Sequence, residues 1–241
     1  MACPRYLTIS AWGVHLFTAS GAVAGLLALD YISANDFRGA FILMAIAIVI
    51  DSADGTLARW LKVSERIPVF DGALLDNIVD YLNYVAVPLF LMLRAGLLPQ
   101  TAAGFFAASF AMLASAYGFS RADAKTEDHY FRGFPSYWNL VALYLFCLGW
   151  IPFVNILVTV ALAVMVFLPV KFIYPSRTAP MRSVTLGFAA IWAAATITLV
   201  LALPVPNPIL LYTSLAFIVY YFVMSFLLHA RLHRRAARHS F

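Results

Sequence analysis

Two short acidic stretches carry the residues best suited to chemistry. Asp51 and Asp54 lie three apart in Asp51-Ser-Ala-Asp54-Gly55-Thr-Leu-Ala58-Arg59, and Asp76 and Asp80 lie four apart in Gly72-Ala-Leu-Leu-Asp76-Asn-Ile-Val-Asp80. Side chains three or four apart share one face of a helix, so two such helices brought together present four carboxylates to a common point. Crowded carboxylates in a partly dehydrated place raise one another's pKa, and the pattern therefore calls for positive charge. Hard divalent cations with oxygen ligands, Mg2+ or Mn2+, answer that need. Two such ions suit displacement at phosphorus. A single Asp at a membrane edge is as readily a helix cap or a surface charge, but four at helical spacing in consecutive apolar runs are not. Gly55, Gly72 and Ala58 leave room for a flat ligand against the acidic face, and Arg59 is placed to meet a phosphate.

The elements that hold these residues must be membrane helices. The chain is 63% hydrophobic and 11% charged with a mean hydropathy of +0.88, whereas soluble domains carry about 25% charged residues. Apolar runs near 12–29, 39–58, 73–93, 101–119, 137–150, 153–170, 184–203 and 209–229 predict about eight spans. The expected fold is an all-α polytopic membrane helix bundle forming one domain over residues 1–241. The run after Arg5 is read as the first helix, since it is long enough to span and leads into further spans. Cys3 and Cys147 give neither a disulfide framework nor a metal-site spacing.

Charge supports this layout. With eight spans, all of the 16 lysines and arginines except Arg38 and Arg94 fall on the side of both termini. Positive charge marks the cytoplasmic side, so both termini and the acidic stretches are expected there. Basic residues at that face bind anionic lipid head groups, at roughly 1 kcal/mol each. The run from Arg231 to Arg238 lacks interleaved aromatics and reads as a lipid-facing anchor, not a nucleic-acid site. Lys125, Lys171 and Arg177 are candidates for holding lipid phosphate, although the same charge rule accounts for them. Asp123, Glu127 and Asp128 read as loop charges offset by Lys125 and Arg132. His15, alone on an apolar span, reads as a hydrogen-bonded packing residue.

The order Asp-x-x-Asp-Gly-x-x-Ala-Arg, then Gly-x-x-x-Asp-x-x-x-Asp, resembles the signature of the CDP-alcohol phosphatidyltransferases. Twelve residues separate Arg59 from Gly72, a longer interval than is usual in that family. The longer interval is similar to the bacterial phosphatidylcholine synthase branch. Stretches His15-Leu-Phe-Thr18-Ala-Ser-Gly21, Gly133-Phe-Pro135-Ser-Tyr-Trp138-Asn139 and Leu168-Pro-Val-Lys-Phe-Ile-Tyr-Pro175-Ser-Arg177 resemble that branch as well. The resemblance implies CDP-diacylglycerol and choline as substrates in a bacterial inner membrane, among membrane lipids. A homodimer is among the arrangements open to such a protein.

The resemblance also implies roles. Asp51, Asp54 and Asp76 would hold one ion, and Asp51, Asp76 and Asp80 a second. Thr18, Asp54, Gly55, Ala58, Arg59 and Gly72 would receive the cytidine nucleotide, and Asp80 would be the general base. The quaternary ammonium of choline cannot donate hydrogen bonds, so aromatic faces must recognise it. Tyr84, Tyr117, Tyr137 and Trp138 are the candidates, with Tyr130 and Phe134 nearby, each weighed against an interfacial aromatic belt. Serine, inositol or glycerol phosphate are rival acceptors, the phosphorylated ones demanding more cationic contacts. A divalent-cation transporter is the rival from another class, but transporter sites lie near the bilayer midplane and these aspartates lie near one face.

Overall fold

Helices form at all eight places that hydropathy predicts. A computed structural model describes residues 5–124, 130–173 and 182–239. In chain order they build α1 (Arg5–Ser33), α2 (Phe37–Trp60), the single turn α3 (Val63–Arg66) and α4 (Gly72–Asp80). A π-helical turn, Tyr81–Ala86, joins α4 to α5 (Val87–Arg94) as one continuous 23-residue span. There follow α6 (Ala102–Ser120), β1 (Tyr130–Arg132), α7 (Trp138–Leu148), α8 (Pro152–Phe167), β2 (Lys171–Ile173), α9 (Arg182–Leu201) and α10 (Pro208–His239).

Among the described residues six spans are long and apolar enough to cross a bilayer, and the chain is an integral membrane protein. Helices α7 and α8 are shorter, at 11 and 16 residues. At 1.5 Å per residue they reach about 16 and 24 Å, short of a hydrocarbon core of about 30 Å. Arg38 lies in the first turn of α2 and Arg59 in its last, while Arg94 ends α5 and Arg121 follows α6.

Local chemistry explains where the acid-bearing helices begin and end. The Asp71 carboxylate accepts from the Leu74 N–H at 2.9 Å, which satisfies one of the unpaired donors of a helix start and opens α4 at Gly72. Arg59 occupies the last turn of α2, where a cation complements the helix dipole. The long interval between Arg59 and Gly72 holds α3, which hydropathy alone did not predict. Val63 and Ile67, four apart, pack on Ala11 and Val14 of α1, so the extra residues form one anchored turn beside the site.

The main core runs through the middle of the bundle. Trp138, Leu143 and Leu145 of α7 pack with Phe41 and Met44 of α2 and with Val85, Leu91 and Met92 of the α4–α5 span. At the α7–α8 turn, Asn155 is fully buried, and its amide donates to the carbonyls of Leu97 and Trp150 at 3.0 and 3.3 Å. This satisfies two backbone acceptors.

A two-stranded antiparallel ribbon is the second element that periodicity did not predict. Strands β1 and β2 pair with Phe131 opposite Phe172. Phe172 is fully buried and packs against Tyr221, Phe222 and Phe226 of α10. Three-residue strands are too short to show an alternating pattern, and their aromatic residues read as the flanks of apolar runs.

Candidate active site

Helices α2 and α4 bring three carboxylates together. One oxygen from each of Asp51, Asp76 and Asp80 lies within 4.8 Å of the others, and all three residues are half-buried. Three acidic oxygens at that separation suit a hard divalent cation, so the donor set fits the metal that the sequence calls for. Asp54, one turn along α2 from Asp51, is 6% exposed and lines the same cavity, but stands outside this cluster.

That cavity measures about 680 Å³. Its acidic wall also carries Gly55, Thr56 and Arg59. Arg59 donates to the Thr56 hydroxyl at 3.2 Å. A Cβ built on Gly55 would meet the Arg59 guanidinium at 3.3 Å, so the missing side chain gives the cation space to lie along the helix. The other nucleotide candidates, Ala58, Thr18 and Gly72, do not line this cavity. Ala58 packs beside Val63 and Ile67. The Thr18 hydroxyl bonds back to the Val14 carbonyl at 3.3 Å. Gly72 lies against His15, whose Cε1 would be 2.8 Å from an added Cβ. His15 is buried against Phe70, with ring centres 4.4 Å apart. The expected hydrogen bond at its Nε2 has no partner among the described residues.

The rest of the lining is aromatic and cationic. Tyr84, Phe119, Phe131, Phe134 and Tyr137 belong to it, together with Arg121 and Arg132. The Tyr84 and Tyr137 rings are 6.1 Å apart, and those of Tyr137 and Phe131 6.5 Å. Two of the four aromatic candidates thus reach the cavity and two do not. Trp138 is fully buried and donates its indole N–H to the Ser115 hydroxyl at 2.8 Å. Tyr117 is exposed, and the Arg121 guanidinium sits 5.5 Å over its ring. Among the phosphate candidates, Lys171 sits with its ammonium 5.5 Å from the Tyr130 ring centre. Lys125 and Arg177 lie outside the described residues.

Arg121, Arg132 and Phe131 are cavity residues that sequence reasoning missed. Asp123 holds the two arginines, accepting from Arg121 at 2.8 and 2.9 Å and from Arg132. The Arg121 hydrogen bond is the main cause that lowers the Asp123 pKa to about 2. A carboxylate depressed in this way contributes stability that is present above its unfolded value near 4, and is lost only as pH falls through about 2. The cluster therefore stays paired across the range in which an enzyme would be assayed. The only sequence signal for the two arginines was positive charge, which sidedness already explained.

Comparisons with known proteins agree with this geometry. The CDP-alcohol phosphatidyltransferase family profile matches residues 3–168, a range holding both acidic stretches. A phosphatidylcholine synthase from Legionella pneumophila is 39% identical over 224 residues, covering 90% of this chain and 88% of the relative. One from Borreliella burgdorferi is 41% identical over 183 residues, covering 76% and 78%. One from Pseudomonas aeruginosa is 35% identical over 201 residues, covering 83% and 84%.

Proposed function

The chain belongs to the CDP-alcohol phosphatidyltransferase family, and from that premise we propose that it transfers the phosphatidyl group of CDP-diacylglycerol to choline, releasing CMP. The observation that carries this reading is one cavity lined both by the Asp51, Asp76 and Asp80 cluster and by aromatic rings. The relatives' shared name supports choline as acceptor. The setting is the inner membrane of a bacterium, with the cavity open to the cytoplasmic face, as the sidedness of the basic residues suggests.

Asp51, Asp76 and Asp80 would hold divalent metal, Mn2+ or Mg2+, with Asp54 completing a two-ion site. Bound there, the metal supplies positive charge to the diphosphate and to the departing CMP. The remaining steps belong to the chain's own groups. Arg59 and the open backbone at Gly55 receive the nucleotide phosphate. Asp80 accepts the proton of the choline hydroxyl as that oxygen bonds to the phosphorus bearing diacylglycerol. The bond from this phosphorus to the CMP oxygen breaks, and the electron pair leaves with CMP. The product is phosphatidylcholine.

The quaternary ammonium is assigned to Tyr137 and Phe131, with Phe134 beside them. A cation–π contact contributes about 0.5–2 kcal/mol, and tenfold in affinity corresponds to about 1.4 kcal/mol. Tyr137→Leu is therefore expected to raise the KM for choline by roughly 2- to 30-fold with little change in kcat. Steady-state kinetics on purified protein would measure this, and an unchanged KM removes Tyr137 from the ammonium site.

An acceptor panel tests the function directly. Membranes containing the protein are given CDP-diacylglycerol and Mn2+, with choline, serine, inositol or glycerol phosphate offered in turn. Metal-dependent CMP release with choline, and not with the others, is the expected result. Release with another alcohol alone would replace the acceptor, and no release with any would remove the transferase reading.

A further inference from the structure

We propose that Tyr84 is a positioning residue, which fixes the Asp51 carboxylate for cation binding and joins the aromatic wall of the cavity to the acidic one. The inference rests on the reading of Asp51, Asp76 and Asp80 as metal ligands, and assigns to Tyr84 a task other than the ammonium contact expected of it. The Tyr84 hydroxyl donates to Asp51 Oδ2 at 2.7 Å, reaching from the α4–α5 span to α2. A hydrogen bond to a carboxylate is roughly twice as strong as a neutral one and is directional. The terminal torsion of an aspartate is otherwise broad, so this bond selects one orientation of the carboxylate. Hydrogen-bond partners of ligating groups typically carry 10–100-fold in metal affinity.

The placement of Tyr84 is built into the helix. Asp76, Asp80 and Tyr84 follow one another at intervals of four. In a regular α-helix each such step drifts by about 40°, and three residues would fan out across the surface. The π-helical turn begins at Tyr81 and bonds i to i+5. That underwinding returns Tyr84 toward the column of the two aspartates. Asn83 pins the turn to α1, its amide donating to the Gly21 and Val79 carbonyls, each at 3.0 Å. Gly25 accommodates it, since an added Cβ there would sit 2.8 Å from Asn83 Oδ1. Tyr84 is itself only 9% exposed. With its hydroxyl committed to Asp51, its ring meets Tyr137, which in turn meets Phe131. The acceptor wall and the ligand wall are thereby in register through one side chain.

Tyr84→Phe separates this role from packing, because it keeps the ring and deletes only the hydroxyl. Binding of Mn2+ to purified, substrate-free protein is measured by electron paramagnetic resonance, alongside Asp51→Asn. The expected result is a 10–100-fold weaker Mn2+ affinity in Tyr84→Phe, turnover restored by raising Mn2+, and an unchanged KM for choline at saturating metal. A purely structural role would not be rescued by metal. Wild-type Mn2+ affinity in Tyr84→Phe, with weakened binding in Asp51→Asn, overturns the proposal for Tyr84 and leaves the ligand cluster standing. Wild-type affinity in both variants overturns the cluster and the positioning role together.

Discussion

Asp80→Asn is expected to lower the rate of CMP release by about 10²–10⁴-fold, the range that a positioned general base supplies, while the protein keeps its fold. The substitution preserves volume and shape and removes the proton acceptor. Asp80 is half-buried, lines the cavity and shares the cluster with Asp51 and Asp76. Because the same side chain is read as a ligand, part of the loss comes from weaker metal binding. A Mn2+ titration divides the two contributions. Loss due to ligation recovers as Mn2+ rises, whereas loss of the base persists at saturation. A variant that regains most of the wild-type rate at high Mn2+ would remove the base assignment and leave the ligand.

Gly133→Ala is expected to damage stability and acceptor binding together. Gly133 has φ +85°, a region that costs other residues about 1–3 kcal/mol. A Cβ there would run into the Val166 carbonyl at the end of α8, which is backbone and cannot rotate away. The residue also joins the ribbon to the bundle. Its N–H donates to the Val170 carbonyl at 2.8 Å, and the Phe134 N–H donates to the Met165 carbonyl at 3.1 Å. Displacing this junction moves Phe131 and Phe134 out of the cavity. Each kcal/mol lowers the unfolding temperature of a chain this size by about 2–4 °C. A fall of roughly 2–12 °C in detergent, with a raised KM for choline, is the expected outcome. A variant that melts like the wild type and binds choline equally well would show that the junction has slack.

The acidic wall was legible in the sequence because its chemistry and its helical spacing coincide. Asp51, Asp76 and Asp80 follow a local rule, and two adjacent spans suffice to bring them together. Asp54 shows where that rule stops, since spacing put it with the others while the structure leaves it one turn aside. The aromatic wall obeys no local rule. Trp138 and Phe131 are equally plausible aromatics by composition, yet one is buried against Ser115 and the other faces the cavity. What separates them is a ribbon of two three-residue strands more than thirty positions apart in the chain, and such short pairings leave no periodic trace. Arg121 and Arg132 were hidden for another reason. Their charge already had an explanation in membrane sidedness, and only tertiary structure gives it a second one.

The shortness of α7 sets where the reactants must meet. Residues 133–137 take the place of its missing first turns, with no regular secondary structure, and four of them line the cavity. Irregular backbone at membrane depth is tolerated where it borders such a space. A helix of about 16 Å is shorter than a hydrocarbon core of about 30 Å, and this cavity-lining segment makes up part of the difference. The lipid reactant can keep its acyl chains among its neighbours and bend only its head toward the aspartates. It is the water-soluble alcohol that has to travel to the site.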